Sequence, residues 1–155
     1  MVQNPISIID PRLKTLHDYW LRKRGPRLAP TRADMKPNEL KFILAQVYLL
    51  EVVGLPHRFR FRLAGTALEN EYGGQLTGKF ADEIDLDGVG NLILREYESV
   101  AKEALPVATS WNYTKDDGRK LEYENLILPL SSNGRTVDML FGAAEMKGVS
   151  PLSEA

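Results

Sequence analysis

Cysteine is absent from this 155-residue sequence, and its absence excludes several kinds of chemistry at once. Without a thiol there is no disulfide, no thiolate nucleophile and no cysteine-ligated metal. Histidine is scarce as well, with only His17 on a predicted helix and His57 in a predicted turn. Because a protein metal site usually takes at least three ligands, neither histidine is expected to bind a metal.

Long apolar runs are also missing. No segment approaches the roughly 18 uninterrupted apolar residues of a membrane span, and no basic stretch leads into an apolar run at the start of the chain. Glycine-rich phosphate loops, dinucleotide fingerprints and a Gly-x-Ser-x-Gly elbow do not occur. Glu122 and Glu124 share a strand face, a pattern more typical of a solvated face than of an acid-base pair. We expect one cytoplasmic domain without membrane insertion.

Charge is nearly balanced overall but unevenly distributed along the chain. Residues 1–62 carry 12 basic and 5 acidic side chains, whereas the remainder carries 8 and 16. This asymmetry favours neutralisation between the two halves within the folded domain. The alternative is an anionic partner such as nucleic acid, for which the candidate residues are Arg22, Lys23, Arg24, Arg27 and Arg32.

The first predicted element is a helix over residues 10–24. Asp10 is the expected N-cap and Pro11 the first helical residue, and the helix should end before Gly25-Pro26. Leu13, Leu16 and Trp20 recur at helical spacing. This stripe is our candidate surface for dimerisation or partner binding, and residues 1–9 are expected to be a tail.

The segment Arg58–Thr66 predicts a half-buried strand that turns at Gly65 into a short helix. Side chains alternate across a strand, so Phe59, Phe61 and Leu63 should face one way and the three arginines the other. The preceding apolar run, residues 47–53, predicts its partner strand. The arginines need negative charge nearby, for which the acidic second half is the favoured source, and Arg62 is the candidate for a structural ion pair.

The rest of the chain predicts two helices and three strands. Pro37 should open a short helix to about Leu44, and Asp87 should cap a long helix that ends before Pro106. Strands are predicted over 107–114, 121–130 and 136–144, separated by Asp-Gly and Asn-Gly turns. The domain is therefore expected to span residues 10–146, with residues 147–155 as a flexible tail.

Several short motifs occur in a fixed order along the chain. They are Tyr19-Trp20 with Arg24-Gly25, Pro30 with Arg32, Pro37, Arg62-Leu63-Ala64-Gly65-Thr66, Leu76-Thr77-Gly78 and Leu128-Pro129-Leu130. Their order resembles the PAS superfamily, and more closely a bacterial branch of it. The resemblance covers residues 10 to about 146, with Lys36 as a departure where an acidic helix cap would be expected before Pro37. The resemblance implies an α+β fold: a five-stranded antiparallel sheet, a helical belt with one long helix, and here an extra N-terminal helix.

The resemblance also implies a function. It predicts a stand-alone sensory or regulatory module without enzymatic activity, acting as a homodimer on a signalling partner such as a histidine kinase. A cysteine-linked chromophore or flavin adduct is excluded, and haem is not expected because residues 87–105 contain no histidine. A noncovalent small ligand remains open. The candidate pocket residues are Phe59, Phe61, Leu68, Trp111 and Tyr113.

Two other functions stay open at the level of the sequence. One is a small α+β enzyme of the cone-shaped isomerase and dehydratase type, which usually needs a histidine and an aspartate inside a pocket. The other is the nucleic-acid-associated protein that the basic N-terminal region allows, although nucleic acid is not the favoured partner.

Overall fold

The computed structural model describes residues 6–84, 90–114 and 116–149, apart from the side chains of residues 113, 148 and 149. Three α-helices and five strands make up the regular structure of these residues. They are α1 (Pro11–Arg24), β1 (Val47–Val53), β2 (Arg58–Ala64), α2 (Thr66–Tyr72), α3 (Gly90–Glu103), β3 (Val107–Thr114), β4 (Lys120–Leu130) and β5 (Met139–Val149). None of the described helices is both long and apolar enough to cross a membrane.

All five strands form one antiparallel sheet in the order β2-β1-β5-β4-β3. The β1–β2 and β3–β4 hairpins form the two sides, and β5 lies between β1 and β4. This arrangement confirms the predicted α+β fold with a five-stranded antiparallel sheet.

Helix α1 covers one side of this sheet, which we call the outer face. Leu13, Leu16 and Trp20 pack there among the side chains of Leu49, Leu126, Leu128, Leu130, Phe141 and Ala143. Trp20 is 1% exposed, and its indole nitrogen donates a hydrogen bond of 2.9 Å to the carbonyl oxygen of Pro129. The expectation that Leu13, Leu16 and Trp20 form an exposed dimer or partner surface is therefore wrong, because the sheet of the same chain already buries them.

The start of α1 agrees with the sequence, but the domain extends beyond the expected limits. Asp10 caps the helix, accepting hydrogen bonds from the backbone N–H groups of Arg12 and Leu13 at 2.8 and 3.1 Å. Ile8 before it is buried in the core. At the other end β5 continues to Val149 rather than stopping at 146. Residues 6–9 and 147–149 thus belong to the folded domain.

A β-bulge at Arg62 changes which residues of β2 face the core. Leu49 pairs with Leu63 but the next residue, Leu50, pairs with Phe61, so Arg62 is the additional residue. Leu63 is consequently 49% exposed and does not share the buried face of Phe61. Arg62 is also exposed, and no ion pair joins it to another described residue. The structural ion pair of Arg62 therefore stays a prediction, with no partner for it among the described residues.

Gly65 forms the corner after β2, as the sequence indicates. Its backbone N–H donates to the carbonyl oxygen of Val47 at 2.7 Å. A Cβ at this position would overlap the backbone of Leu44 and Ala45, so only glycine fits without moving the main chain.

Some predicted boundaries differ from the structure. Instead of one helix over 37–44, two 3-10 turns form, Pro37–Glu39 and Leu44–Gln46. Strand β5 begins at Met139 rather than at 136, because residues 131–138 form a loop in which the Ser131 hydroxyl donates to the carbonyl oxygen of Thr136 at 2.6 Å. The predicted cap Asp87 lies outside the described residues.

Candidate functional site

The inner face of the sheet, opposite α1, is covered by α3 and has two distinct parts. Strands β1 and β2 carry a cluster of aromatic rings, which we call the aromatic half. The ring of Tyr97 from α3 lies 5.5 Å from that of Phe59 and 6.1 Å from that of Tyr48. Phe61 completes the group, 6.1 Å from Tyr48. At these separations the rings pack directly against one another.

Tyr48 has a place in this cluster because a glycine lies beside it on β5. A Cβ on Gly142 would overlap the Tyr48 ring. The Tyr48 hydroxyl donates to Oδ1 of buried Asn125 at 2.8 Å. Burial raises the pKa of both Tyr48 and Tyr97, so the two phenols are neutral hydrogen-bonding groups at physiological pH.

Strands β3 and β4 carry more polar groups on the inner face, which we call the polar half. Glu96 of α3 is 8% exposed and accepts a hydrogen bond from the Thr109 hydroxyl at 3.1 Å. Burial raises the pKa of the Glu96 carboxyl, and the Thr109 hydrogen bond opposes that rise. A buried carboxyl beside a strand hydroxyl gives this half of the inner face both donor and acceptor capacity.

Trp111 belongs to the polar half as well. Its indole ring stacks on that of Tyr123 from β4, with centroids 5.4 Å apart and planes inclined by 13°. The Trp111 indole N–H is buried and has no hydrogen-bond acceptor among the described residues. Most buried donors in proteins are paired, so an unpaired one needs an explanation.

The structure places four of the five predicted pocket residues in the core on the inner side of the sheet. Phe59 and Phe61 are buried in the aromatic half, and Leu68 and Trp111 are partly buried against the same inner core. The side chain of Tyr113 lies outside the described residues. Whether these residues contact a ligand stays a prediction.

Sequence reasoning did not identify Glu96 as a buried residue. The spacing of Ile93, Glu96, Tyr97 and Val100 offers a signal, because these positions fall on one helical stripe and all are buried. A single carboxyl inside an otherwise apolar stripe would have indicated a functional position. Tyr48 and Asn125 gave no comparable signal, because their hydrogen bond joins strands 77 residues apart.

The two histidines lie apart from the inner-face polar groups. His17 stacks on the Trp20 ring of the outer core at 6.4 Å, and burial lowers its pKa. His57 lies in the β1–β2 turn, where its Nδ1 is 3.0 Å from Oε2 of Glu98. Within the described ranges, no group of three histidine, aspartate or glutamate side chains is arranged to hold a metal.

Most of the basic N-terminal residues have local partners. Lys23 pairs with Glu39 at 3.2 Å and Arg27 with Asp34 at 2.9 Å, while the guanidinium of Arg24 lies 5.4 Å from the centre of the Trp20 ring. This pairing reduces the positive charge available to an anionic partner.

Two of the three arginines of β2 also form ion pairs with nearby carboxylates. Arg58 pairs with Asp82 at 2.8 Å, and Arg60 with Glu51 at 2.9 Å. One partner comes from the acidic second half of the chain, as expected, and the other from the neighbouring strand β1. An external anion is not needed to explain these two side chains.

Glu122 and Glu124 lie at one end of the outer face. Glu122 is exposed, whereas Glu124 accepts hydrogen bonds from the backbone N–H groups of Ile9 and Asp10 at 2.6 and 2.8 Å. Glu145 on β5 is buried beside them and pairs with Arg12. These contacts give Glu124 and Glu145 a role in holding the start of α1 on the sheet.

Comparison with known proteins gives one family and a set of similar folds. The sequence profile of the family described as PAS domain matches residues 9–145. No curated protein matches the sequence.

Two solved structures show the fold similarity. The PAS domain from Bordetella pertussis BvgS has a TM-score of 0.52 and 16% identity, covering 91% of this chain and 90% of that one. A light-oxygen-voltage domain from a study with a flavin analogue has a TM-score of 0.51 and 11% identity, covering 75% of this chain and 85% of that one. At these identities the similarity concerns the fold.

Proposed function

This chain belongs to the PAS domain family, and on that basis we propose that it is a sensory or regulatory module that binds a small ligand noncovalently and passes the change to a partner protein. The partner would be a signalling protein such as a histidine kinase. The family match supports a sensory function. The polar groups of the inner face support the binding of a small ligand.

The observation that carries the ligand proposal is the buried, unpaired indole N–H of Trp111. Leaving a buried donor without an acceptor costs about 1 to 3 kcal/mol. A ligand with a carbonyl or ring-nitrogen acceptor would remove that cost. Glu96 and Thr109 on the same face could contact further polar groups of such a ligand.

The aromatic half restricts the size and position of the ligand. Tyr48, Phe59, Phe61 and Tyr97 already contact one another there. The favoured position is therefore the polar half, and the initial candidates Phe59 and Phe61 become walls rather than first contacts. A flavin is one ligand to test, given the similar light-oxygen-voltage fold, but this chain has no thiol with which to form an adduct.

Native mass spectrometry of the purified protein tests this proposal directly. We expect a fraction of the molecules to carry a small molecule of defined mass, and Trp111→Phe to lose it while keeping the aromatic stacking. Trp20→Phe, which changes the other tryptophan on the outer face, is the matched control and should retain the mass. A protein of unliganded mass, together with no shift in melting temperature on addition of riboflavin or flavin mononucleotide, would argue against a ligand.

The partner proposal has a separate readout. Crosslinking in cells that express the wild-type protein should give a defined adduct with a signalling protein, identified by its peptides, and Trp111→Phe should change its yield. Equal adduct yields from the wild type and Trp111→Phe would show that partner binding does not depend on the Trp111 indole.

A further inference from the structure

Asparagine followed directly by glycine occurs once in this chain, at Asn133-Gly134. Each of the other six asparagines precedes a residue with a bulkier side chain. Glycine has no Cβ to obstruct the approach of its own backbone nitrogen to the side chain before it. The side-chain amide of Asn133 and the peptide nitrogen of Gly134 are therefore a reactive pair, brought together by two adjacent residues of one chain.

This pair lies in the loop 131–138 between β4 and β5, where both residues are exposed to solvent. Burial therefore does not shield them from water or base. Hydrogen bonding does restrain the nitrogen, because the Gly134 N–H donates to Oγ of Ser131 at 2.9 Å. Ser131 is itself 2% exposed, and its hydroxyl donates to the carbonyl oxygen of Thr136 at 2.6 Å.

The side-chain amide of Asn133 is held by the same loop. Its Oδ1 accepts hydrogen bonds from the backbone N–H groups of Arg135 and Thr136 at 2.8 and 2.9 Å, and its Nδ2 donates to Oγ1 of Thr136 at 3.1 Å. The two N–H donors draw electrons from the amide carbon, which leaves that carbon open to attack. The group that the folded loop withholds is the nucleophile, because the proton of the Gly134 nitrogen is engaged by a buried hydroxyl.

We propose that Asn133 is a site of spontaneous deamidation, which the hydrogen bond from Gly134 to Ser131 suppresses in the folded loop and which opening of the loop releases. The Gly134 nitrogen loses its proton to solvent base and attacks Cγ of Asn133. The bond from Cγ to the side-chain nitrogen then breaks, and that nitrogen takes up a proton and leaves as ammonia. The product is a five-membered succinimide, which water opens by adding hydroxide to one carbonyl carbon and a proton to the ring nitrogen.

The two directions of ring opening have different consequences for the fold. Opening at the side-chain carbonyl gives aspartate, whose carboxylate still accepts the N–H groups of Arg135 and Thr136. Opening at the main-chain carbonyl gives isoaspartate, in which the backbone passes through the former side chain and gains one carbon atom. This extra atom displaces Gly134 from Ser131, so the loop between the neighbouring strands β4 and β5 does not close as before. A molecule whose loop has opened is thereby marked covalently.

The reaction can be followed by incubating the purified full chain at mildly alkaline pH, with and without urea, and measuring the peptide that carries Asn133 by mass spectrometry. Deamidation replaces NH2 by OH and so changes the mass of this peptide. Because reaction requires an opened loop, we expect the folded protein to deamidate at least about tenfold more slowly than the protein in urea. Equal rates in the two states would overturn the proposal.

Ser131→Ala removes the acceptor of the Gly134 N–H and should raise the rate in the folded protein by about tenfold or more. Ser132→Ala is the matched control, because this exposed neighbour contacts Asp138 rather than Gly134, and it should deamidate like the wild type. A folded Ser131→Ala that reacts as slowly as the wild type would contradict the role of Ser131.

Hydrogen exchange at the Gly134 amide of the wild type provides a second measurement that does not depend on the folding of Ser131→Ala. The protection of this amide should equal the factor by which folding slows deamidation, because both report the same opening. Rapid exchange at Gly134 together with slow deamidation would overturn the proposal.

Discussion

At the scale of single residues, Glu96 is an ionisable side chain in a buried position, where its charged form is disfavoured. Its carboxyl lies beneath α3 with Thr109 as its hydrogen-bond donor, and no cation forms an ion pair with it among the described residues. Burial therefore raises the pKa of Glu96. Proteins commonly accept such a cost where a side chain has a function, and this supports the polar half as the site.

Glu96→Gln should raise the melting temperature at neutral and higher pH by about 2 to 4 °C, the shift that about 1 kcal/mol produces in a domain of this size. The folded state binds the Glu96 proton more tightly than the unfolded state does. The contribution of Glu96 to stability is therefore greatest at low pH and falls as the pH rises from the ordinary carboxyl value, about 4.3, through the raised pKa. Glutamine is neutral at every pH, so Glu96→Gln lacks this pH-dependent contribution to stability.

Thermal melts between pH 4 and pH 8 measure the difference, which should vanish towards pH 4. Glu103→Gln, an exposed carboxylate on the same helix, is the control and should change little at any pH. A lower melting temperature for Glu96→Gln at pH 8 would contradict the burial argument.

Gly65→Ala tests the corner after β2. The added methyl group would overlap backbone atoms of Ala45 and Leu44, which cannot rotate away as a side chain could. We expect a loss of about 3 kcal/mol in the free energy of unfolding, measured with urea. Gly74→Ala is the control, because the nearest atom to its Cβ is in the Tyr72 ring at 3.8 Å. Equal stability of the two variants would refute the packing explanation.

At the scale of elements, α1 is part of the core rather than an appendage. Its apolar stripe completes the outer face, and its N-terminus is held by Glu124 through two backbone N–H groups. Most of the stability of such a helix comes from tertiary packing rather than from helix propensity. The outer face is therefore closed within one chain.

Trp20→Ala should lower the free energy of unfolding by about 3 to 5 kcal/mol, because it empties a buried volume and removes the hydrogen bond to Pro129. Leu21→Ala, one residue further along α1 and 38% exposed, should cost less than about 1 kcal/mol. Chemical denaturation compares the two. A small effect of Trp20→Ala on stability, combined with loss of a dimer, would restore α1 as the subunit interface.

At the scale of the whole molecule, the two oppositely charged halves meet at several places on the surface. Arg12 pairs with Glu145, Lys147 with Asp10, and Arg58 with Asp82. The first two pairs join residues near opposite ends of the chain, and the third joins β2 to the turn Ala81–Glu83. The basic side chain of each pair is exposed, so each pair contributes little to stability, while the two apolar cores supply most of it.

The two edges of the sheet also differ. Among the described residues, the β2 edge is covered and basic, whereas the β3 edge is regular and uncharged. Trp111 belongs to β3, so a ligand at its indole would contact an edge strand of the sheet.

The sequence by itself determined where most elements lie. Asp10 and Pro11 set the start of α1, residues 47–53 form a strand as predicted, and Gly65 marks the corner. These features depend on local backbone preferences and side-chain periodicity, which are properties of neighbouring residues. The ordered motifs, together with the predicted strands, were enough to indicate the family and its sheet.

Tertiary structure alone decided what covers each face. Periodicity groups Leu13, Leu16 and Trp20 on one stripe, but it does not say whether the same chain or a second copy packs against it. One additional residue at Arg62 reverses the alternation, so Leu63 turns towards solvent although its spacing matches Phe61. Burial of Glu96 and the unpaired N–H of Trp111 likewise depend on neighbours that are distant in sequence, because packing and hydrogen bonding are set by contacts that only folding creates.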